Sequence, residues 1–243
     1  MHIIKLNATN STNTYLRELS LKDSLVDYTV VQSDFQTNGR GQMGTSWSSN
    51  PEENLMFSVF KDVSFVNFEQ HFFISMTVAI AIVKTLESFG IPKLKIKWPN
   101  DILSENKKIC GVLIENSVKN NRFKNSIIGI GINVNQKAFD NLPQATSLFN
   151  IAGKPFNRDE VLVKCMENIK KYFQILEANN VAEIQKNYAL YLFKKNKPAT
   201  FKDATGFIFT GIIQSVSNSG KLQILVEDAE IKAFDLKEVS LMY

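Results

Sequence analysis

The spacing of apolar and polar positions changes period several times along the 243-residue chain. "HIIKL" (2–6) reads as a short strand. "STNTYLRELSL" (11–21) reads as a helix that Ser11 or Thr12 could cap. "DYTVVQSDFQ" (27–36) is a second strand, running into a glycine-rich loop, and "NLMFSVF" (54–60) alternates as a strand does. From Phe68 to Phe89 apolar residues recur at helical spacing (Phe72, Met76, Ala79, Val83, Leu86), until Gly90 and Pro92 stop the helix. "LKIKWP" (94–99), "KICGVLIENSV" (108–118) and "NSIIGIGINVN" (125–135) read as strands, with "KNNRFKN" (119–125) as the turn between the last two.

Asn157 opens a helix over Arg158–Leu176, with Asp159 and Glu160 in the first turn where the helix dipole favours them. Another helix spans about Val181–Phe193. The pattern then changes to short alternating strands with an "NSG" turn (218–220), as in a small all-β barrel. The boundary is expected near Lys195–Pro198, giving domains 1–195 and 196–243. Helices and strands do not alternate one for one, which argues against a doubly wound parallel sheet.

Composition narrows the function. Hydrophobic residues are 44% and charged residues 21%, ordinary for a globular chain. The net charge of +4 is scattered, and no basic stripe with interleaved aromatics appears, so no nucleic-acid partner is expected. Two cysteines (Cys110, Cys165) without a C-x-x-C argue against disulfides or a zinc cluster and fit a reducing compartment. Two histidines, His2 at the terminus and His71 in an apolar stretch, leave little for a His-dependent triad. No signal peptide is evident, and the apolar run Phe72–Val83 is too short to span a bilayer. A cytoplasmic protein with no membrane partner is expected.

"QTNGRGQMGTSW" (36–47) contains Gly39-x-Gly41-x-x-Gly44, formally a dinucleotide fingerprint. That fingerprint requires a helix after the glycines; here "TSWSSNPEEN" follows, which is loop, so the dinucleotide reading fails. The loop still has chemical content. Its glycines permit positive φ and close approach of backbone N–H groups, Arg40 can present a guanidinium to a phosphate or carboxylate, and Trp47 can stack on a flat ligand or pack in the core. Three glycines in six residues cost entropy to fix, so the loop is expected to order when ligand binds. Farther on, Pro99 ends a strand and places Asn100 and Asp101 together, able to reach a metal–phosphate group or to form an Asx turn. Lys108 enters an apolar strand containing Gly111, and "GIGINVN" (129–135) interrupts another with two glycines, a sign of close ligand or backbone approach.

Taken in order, "STN" (11–13), "QTNGRGQMGTSW" (36–47), "NLMFS" (54–58), "KWPNDI" (97–102), "KKICGVLIE" (107–115) and "GIGINVN" (129–135) resemble the biotin–protein ligases. The resemblance covers the whole first domain, and the C-terminal module resembles the SH3-like domain of those enzymes. It implies an α+β fold, a mixed and mainly antiparallel sheet with flanking helices of the class II aminoacyl-tRNA synthetase-like kind, followed by a small SH3-like β-barrel. The Ser-Thr-Asn stretch begins at residue 11, which leads us to expect the single-function class without an N-terminal DNA-binding helix-turn-helix.

The activity the resemblance implies is ATP-dependent formation of biotinyl-5′-adenylate, then transfer of biotin to a lysine of a biotin carboxyl carrier domain in a biotin-dependent carboxylase. Lys108, Arg40 and Asp101 are the implied catalytic residues. Ser11, Thr12, Asn13, Gln36, Gly39, Arg40, Gly41, Lys108 and Gly111 are implied for biotin, and Arg40, Trp47, Asn100, Lys108 and Asn133 for ATP. Mg²⁺ would be held through the phosphates near Asn100 and Asp101. Sheet-edge homodimers occur in the family. One departure is Gln42, with Thr45 after it, where many relatives carry further basic residues; weaker retention of the adenylate is expected. The rivals are a lipoate–protein ligase of the same chemistry and a non-catalytic binding module.

Overall fold

The computed structural model describes residues 2–140 and 142–242. The chain runs β1 (Ile3–Thr9), α1 (Thr12–Lys22), β2 (Val30–Gln36), β3 (Leu55–Asp62), α2 (Phe72–Ser88), β4 (Leu94–Lys97), β5 (Asp101–Ser104), β6 (Lys107–Lys119) and β7 (Arg122–Ile132). It continues through α3 (Leu148–Ala152), α4 (Arg158–Glu177), α5 (Val181–Tyr191), and strands β8 (Pro198–Asp203), β9 (Ile208–Val216), β10 (Leu222–Leu225), β11 (Ile231–Phe234) and β12 (Val239–Met242).

The first seven strands form one sheet in the order β1-β2-β3-β7-β6-β5-β4. Only β1 and β2 are parallel, because α1 connects them as a crossover; the other neighbours are antiparallel. The fold is therefore the mixed, mainly antiparallel α+β type. The last five strands form a separate antiparallel sheet, β11-β10-β9-β8-β12.

Side-chain alternation assigns the two faces of the large sheet. Along β7, Ile128, Ile130 and Ile132 join the main core with Phe57, Val59 and the apolar positions of α2. The intervening positions face the other way: Ile127 packs with Leu16 of α1 and Val31, whereas Gly129 and Gly131 carry no side chain. One face is thus covered by α2, with α4 and α5 behind it. On the other face α1 covers one end, and the glycines leave a depression beside it. The core also continues into the second sheet through Phe201, Ile213, Leu222 and Ile224. Phe68–Ser88 is long and apolar enough to cross a membrane by length and composition, but 72% of its most apolar 18-residue stretch is buried inside the fold, as a core helix would be.

Several local expectations are corrected. The β6–β7 turn is only Asn120-Asn121, both left-handed at φ 54° and 55°, so the strands extend through most of "KNNRFKN". The strand β5 lies hidden in "PNDILS", too short to show a period. Helix α5 ends at Tyr191, and Phe193 instead donates its backbone N–H to the Ile96 carbonyl on edge strand β4. Ser11 occupies the cap position of α1 without a side-chain cap bond; the Thr12 N–H is taken at 2.8 Å by Gln36 Oε1, from across the sheet. By contrast Asn157 caps α4 as expected, accepting from the Asp159 and Glu160 N–H groups.

Candidate active site

A cavity of about 350 Å³ opens over the glycine face of the sheet, within the size range of small-molecule sites. Its walls come from Ser11–Asn13 at the start of α1, Gln36 and the loop that carries Arg40 and Trp47, Lys97–Asp101, strands β6 and β7, Phe193, and the C-terminal module through Ile213, Leu222, Leu236 and Val239–Leu241. Most residues singled out from the sequence therefore converge, although they are spread over a hundred positions.

The glycines explain the depression. A methyl group at Gly129 would collide with the Asn13 side-chain oxygen, and one at Gly131 would come within 2.5 Å of the Trp47 ring. At Gly111 it would meet Trp47 at 3.1 Å and Lys108 at 3.3 Å. Gly111 and Gly131 are cross-strand partners, so the pair makes a flat floor on which the indole lies. In the loop the expected role of positive φ holds only for Gly44, at φ 82°. Gly39 and Gly41 are needed for space, since added carbons would strike the Trp47 carbonyl and the Thr45 hydroxyl.

Lys108 reaches this face because of a bulge. Asp101 pairs with Gly111 and Ile102 with Cys110, but Leu103 pairs with Lys108, leaving Ile109 as an extra residue in β6. Without it Lys108, three residues before Gly111, would point to the opposite face; the bulge re-aims it. Its ammonium sits 2.6 Å from Asp101 Oδ1 and 5.8 Å from the Trp47 ring centroid. Arg40 is held by Glu115 through two parallel bonds, Nη1 to Oε1 at 3.1 Å and Nη2 to Oε2 at 2.9 Å. Its Nε–H is buried without a partner, and so is the Trp47 indole N–H. Two unsatisfied donors beside one cavity are the feature a ligand with oxygen acceptors would complete.

Neutral polar groups form a linked set. Ser58 donates its hydroxyl proton to Asn13 Oδ1 (2.6 Å), its oxygen lies 2.7 Å from Thr12 Oγ1, and Thr12 Oγ1 lies 3.2 Å from Gln36 Oε1. Asn100 lies at the rim with its amide N–H given to the Val112 carbonyl at 2.7 Å. Asn133 is not part of the lining: it is buried, and its amide is committed to the Thr146 carbonyl. Gly39 also lies just outside the wall, behind Gln36.

The sequence pattern of the Biotin/lipoate A/B protein ligase family matches residues 6–133, more than half of the chain and every part of this site except Phe193 and the wall given by the C-terminal module. The chain belongs to that family. Among relatives, the bifunctional ligase/repressor BirA of Bacillus subtilis is 29% identical over 244 residues, covering 95% of this chain and 74% of that protein. The biotin–[acetyl-CoA-carboxylase] ligase of Mycobacterium tuberculosis is 26% identical over 67% of this chain and 60% of its own length. The structure of the biotin protein ligase from Aquifex aeolicus in complex with biotin and ATP has a TM-score of 0.83 and 28% identity, covering 99% of this chain and 98% of that one.

Within this biotin/lipoate ligase chain, sequence reasoning missed Glu115, Trp98 and the cavity-lining Val239–Leu241. Glu115 was visible as the end of "KKICGVLIE", where its two-residue spacing from Leu113 and four-residue spacing from Gly111 put it on the glycine face. Trp98 donates its indole N–H to the Gly220 carbonyl at 2.8 Å, tying "KWPND" to the "NSG" turn of the second sheet. No local signal could have shown that contact.

Proposed function

We propose that this protein is a biotin–protein ligase. It joins the biotin carboxylate to ATP and passes the acyl group to a lysine of a carrier domain. The observation that carries this reading is one cavity whose lining joins the cations Arg40, Lys97 and Lys108 to the neutral set Ser11, Thr12, Asn13 and Gln36. The near full-length likeness to a ligase solved with biotin and ATP supports it.

In the first step a carboxylate oxygen attacks the α-phosphorus, the bond to the β-phosphate breaks, and pyrophosphate leaves. Both reactants are anions, so fixed positive charge lowers the barrier. Lys108 supplies it at the carboxylate and α-phosphate, held in place by Asp101; Arg40 supplies it from the loop. The ureido ring, neutral and polar, is matched by the Ser11–Thr12–Asn13–Gln36 set, and Trp47 flanks the adenine. In the second step a lysine amine attacks the acyl carbonyl and AMP leaves; the second Asp101 oxygen is the group that orients that amine.

Among the described residues no cluster of three or more His, Cys, Asp or Glu could hold a metal. Asp101 and Asn100 suit Mg²⁺ that arrives on the nucleotide, since this ion keeps water and phosphate as most of its ligands. When bound, it neutralises polyphosphate charge. The carrier is a domain of a biotin-dependent carboxylase, a reading supported by the name of the mycobacterial relative. Two free, buried cysteines support a reducing, cytoplasmic location.

The test is exchange of labelled pyrophosphate into ATP, driven by biotin, with lipoate and octanoate in parallel. Exchange with biotin alone is expected. Exchange with lipoate alone would keep the chemistry and overturn the substrate, and no exchange with any acid would overturn the enzyme reading.

A further inference from the structure

Ser58 lies beneath the cavity and does not line it. It is fully buried on β3, on the glycine face of the sheet, with Gly129 as its cross-strand partner. Thr12 and Asn13, the first residues of α1, are bonded to it and do line the cavity.

The surrounding acceptors fix where the hydrogens of this group lie. Asn13 Nδ2 is 2.8 Å from Glu115 Oε2, on a carboxylate that Arg17 and Arg40 face, and 3.3 Å from the Leu113 carbonyl. Both are acceptors, so the amide nitrogen points to them and Oδ1 is turned to Ser58 at 2.6 Å. Asn13 Oδ1 has no hydrogen to give, and the one Ser58 proton goes to it. Ser58 Oγ can then only accept from Thr12 Oγ1, 2.7 Å away. The other neighbour of the Thr12 hydroxyl, Gln36 Oε1 at 3.2 Å, also accepts, because it takes the Thr12 backbone N–H at 2.8 Å. Either way the Thr12 proton stays within the protein, and Oγ1 meets the cavity with a lone pair. Every donor in the series Thr12, Ser58, Asn13 points toward the Glu115 carboxylate, and such a chain polarises along its length. None of the four residues belongs to the glycine loop.

We propose that Ser58 is a positioning residue for substrate choice: by holding the Thr12 proton inward, it makes Thr12 Oγ1 an acceptor for a ring N–H of the substrate. A cyclic urea has such an N–H, and a dithiolane ring has none. This role rests on the biotin reading above. The urea ring is the end of biotin remote from the carboxylate, so the bond is made equally in ground and transition states. Its loss raises KM for biotin and leaves kcat unchanged.

The test sets biotin and its two cyclic-carbamate analogues, in which one or the other ring N–H is replaced by oxygen, against wild type, Ser58→Ala, Thr12→Val and the double variant. Calorimetry reads binding, and pyrophosphate exchange reads KM and kcat. Wild type should bind one of the two carbamates about 10–100-fold more weakly than biotin, since two acceptors then face each other. In S58A the Thr12 hydroxyl is free to turn and donate. The KM for biotin should rise about fivefold, with kcat and the KM for ATP held within about twofold, and discrimination against that carbamate should fall to about threefold or less. T12V should lose the same discrimination, and adding S58A to it should change the discrimination no further. A merely structural Ser58 would weaken biotin and both carbamates alike. Such an equal shift, undiminished discrimination in S58A, or a wild type that binds biotin and both carbamates equally would overturn the proposal, and the last of these needs no variant to fold. Biotin binding without pyrophosphate exchange in the wild type would instead overturn the ligase reading, and the ranking of the carbamates would still decide the role of Ser58.

Discussion

Lys108 and Asp101 form an ion pair of 2.6 Å across the β5–β6 pairing, where the extra residue Ile109 turns the lysine onto the glycine face. The pair is partly exposed, 35% at the Lys108 side chain and 17% at Asp101, so water screens it and its contribution to stability is modest. Its value is in orienting a cation before an anionic substrate arrives. Lys108→Ala should leave the fold intact and reduce biotin-driven pyrophosphate exchange about 10²–10³-fold, as loss of one preorganised donor does. A variant within threefold of wild type would remove Lys108 from the chemistry.

Gly131→Ala should disturb the site and spare the core. The new methyl would point at the Trp47 ring from 2.5 Å, while the neighbouring Ile130 and Ile132 stay packed on the opposite face. Displacement of the indole should shift the tryptophan emission and weaken ATP binding, at an overpacking cost of about 1–3 kcal/mol. Unchanged emission with unchanged activity would show that the ring does not rest there.

Trp98→Phe should loosen the junction between the two sheets. It keeps the ring but removes the donor to the buried Gly220 carbonyl, leaving an unsatisfied acceptor worth about 1–3 kcal/mol. The expected result is a lower thermal midpoint together with faster proteolysis around residues 193–198.

Lys61 is nearly fully buried, 2.6 Å from Asp27 and 2.9 Å from Glu177, with its ammonium 4.6 Å from the Tyr28 ring centroid. Burial works to lower its pKa, but the bonds from Asp27 and Glu177 outweigh this and the net shift is upward. A raised lysine pKa stabilises fully below the unfolded value of 10.5, and that contribution is lost as pH rises through the folded value. Lys61→Met should cost roughly 1–3 kcal/mol at pH 7, less than a fully buried pair because both carboxylates keep some water. In urea unfolding the gap to wild type should stay constant to about pH 10 and then close.

Burial also pushes the Cys165 thiol up to about 12 and that of Cys110 well above its ordinary value. Neither should react with iodoacetamide at pH 8 until the protein is unfolded. Labelling of native protein at either position would contradict the packing.

By itself the sequence determined the elements whose period is long enough to read. The apolar spacing of α2, the Ile-Gly alternation of β7 and the Asn157 cap are local, and local backbone and side-chain preferences settle them. It also determined which residue types could bind an anion, since Arg40, Lys108 and the glycines act through their own chemistry. The tertiary structure alone decided how those groups are aimed. The bulge at Ile109 depends on what β5 pairs with, the α1 N-terminus is satisfied by Gln36 from another strand, and Glu115 meets Arg40 across 75 residues of chain. Such pairings arise from burial and from the need to satisfy polar groups in a crowded interior, and neither leaves a period in the sequence.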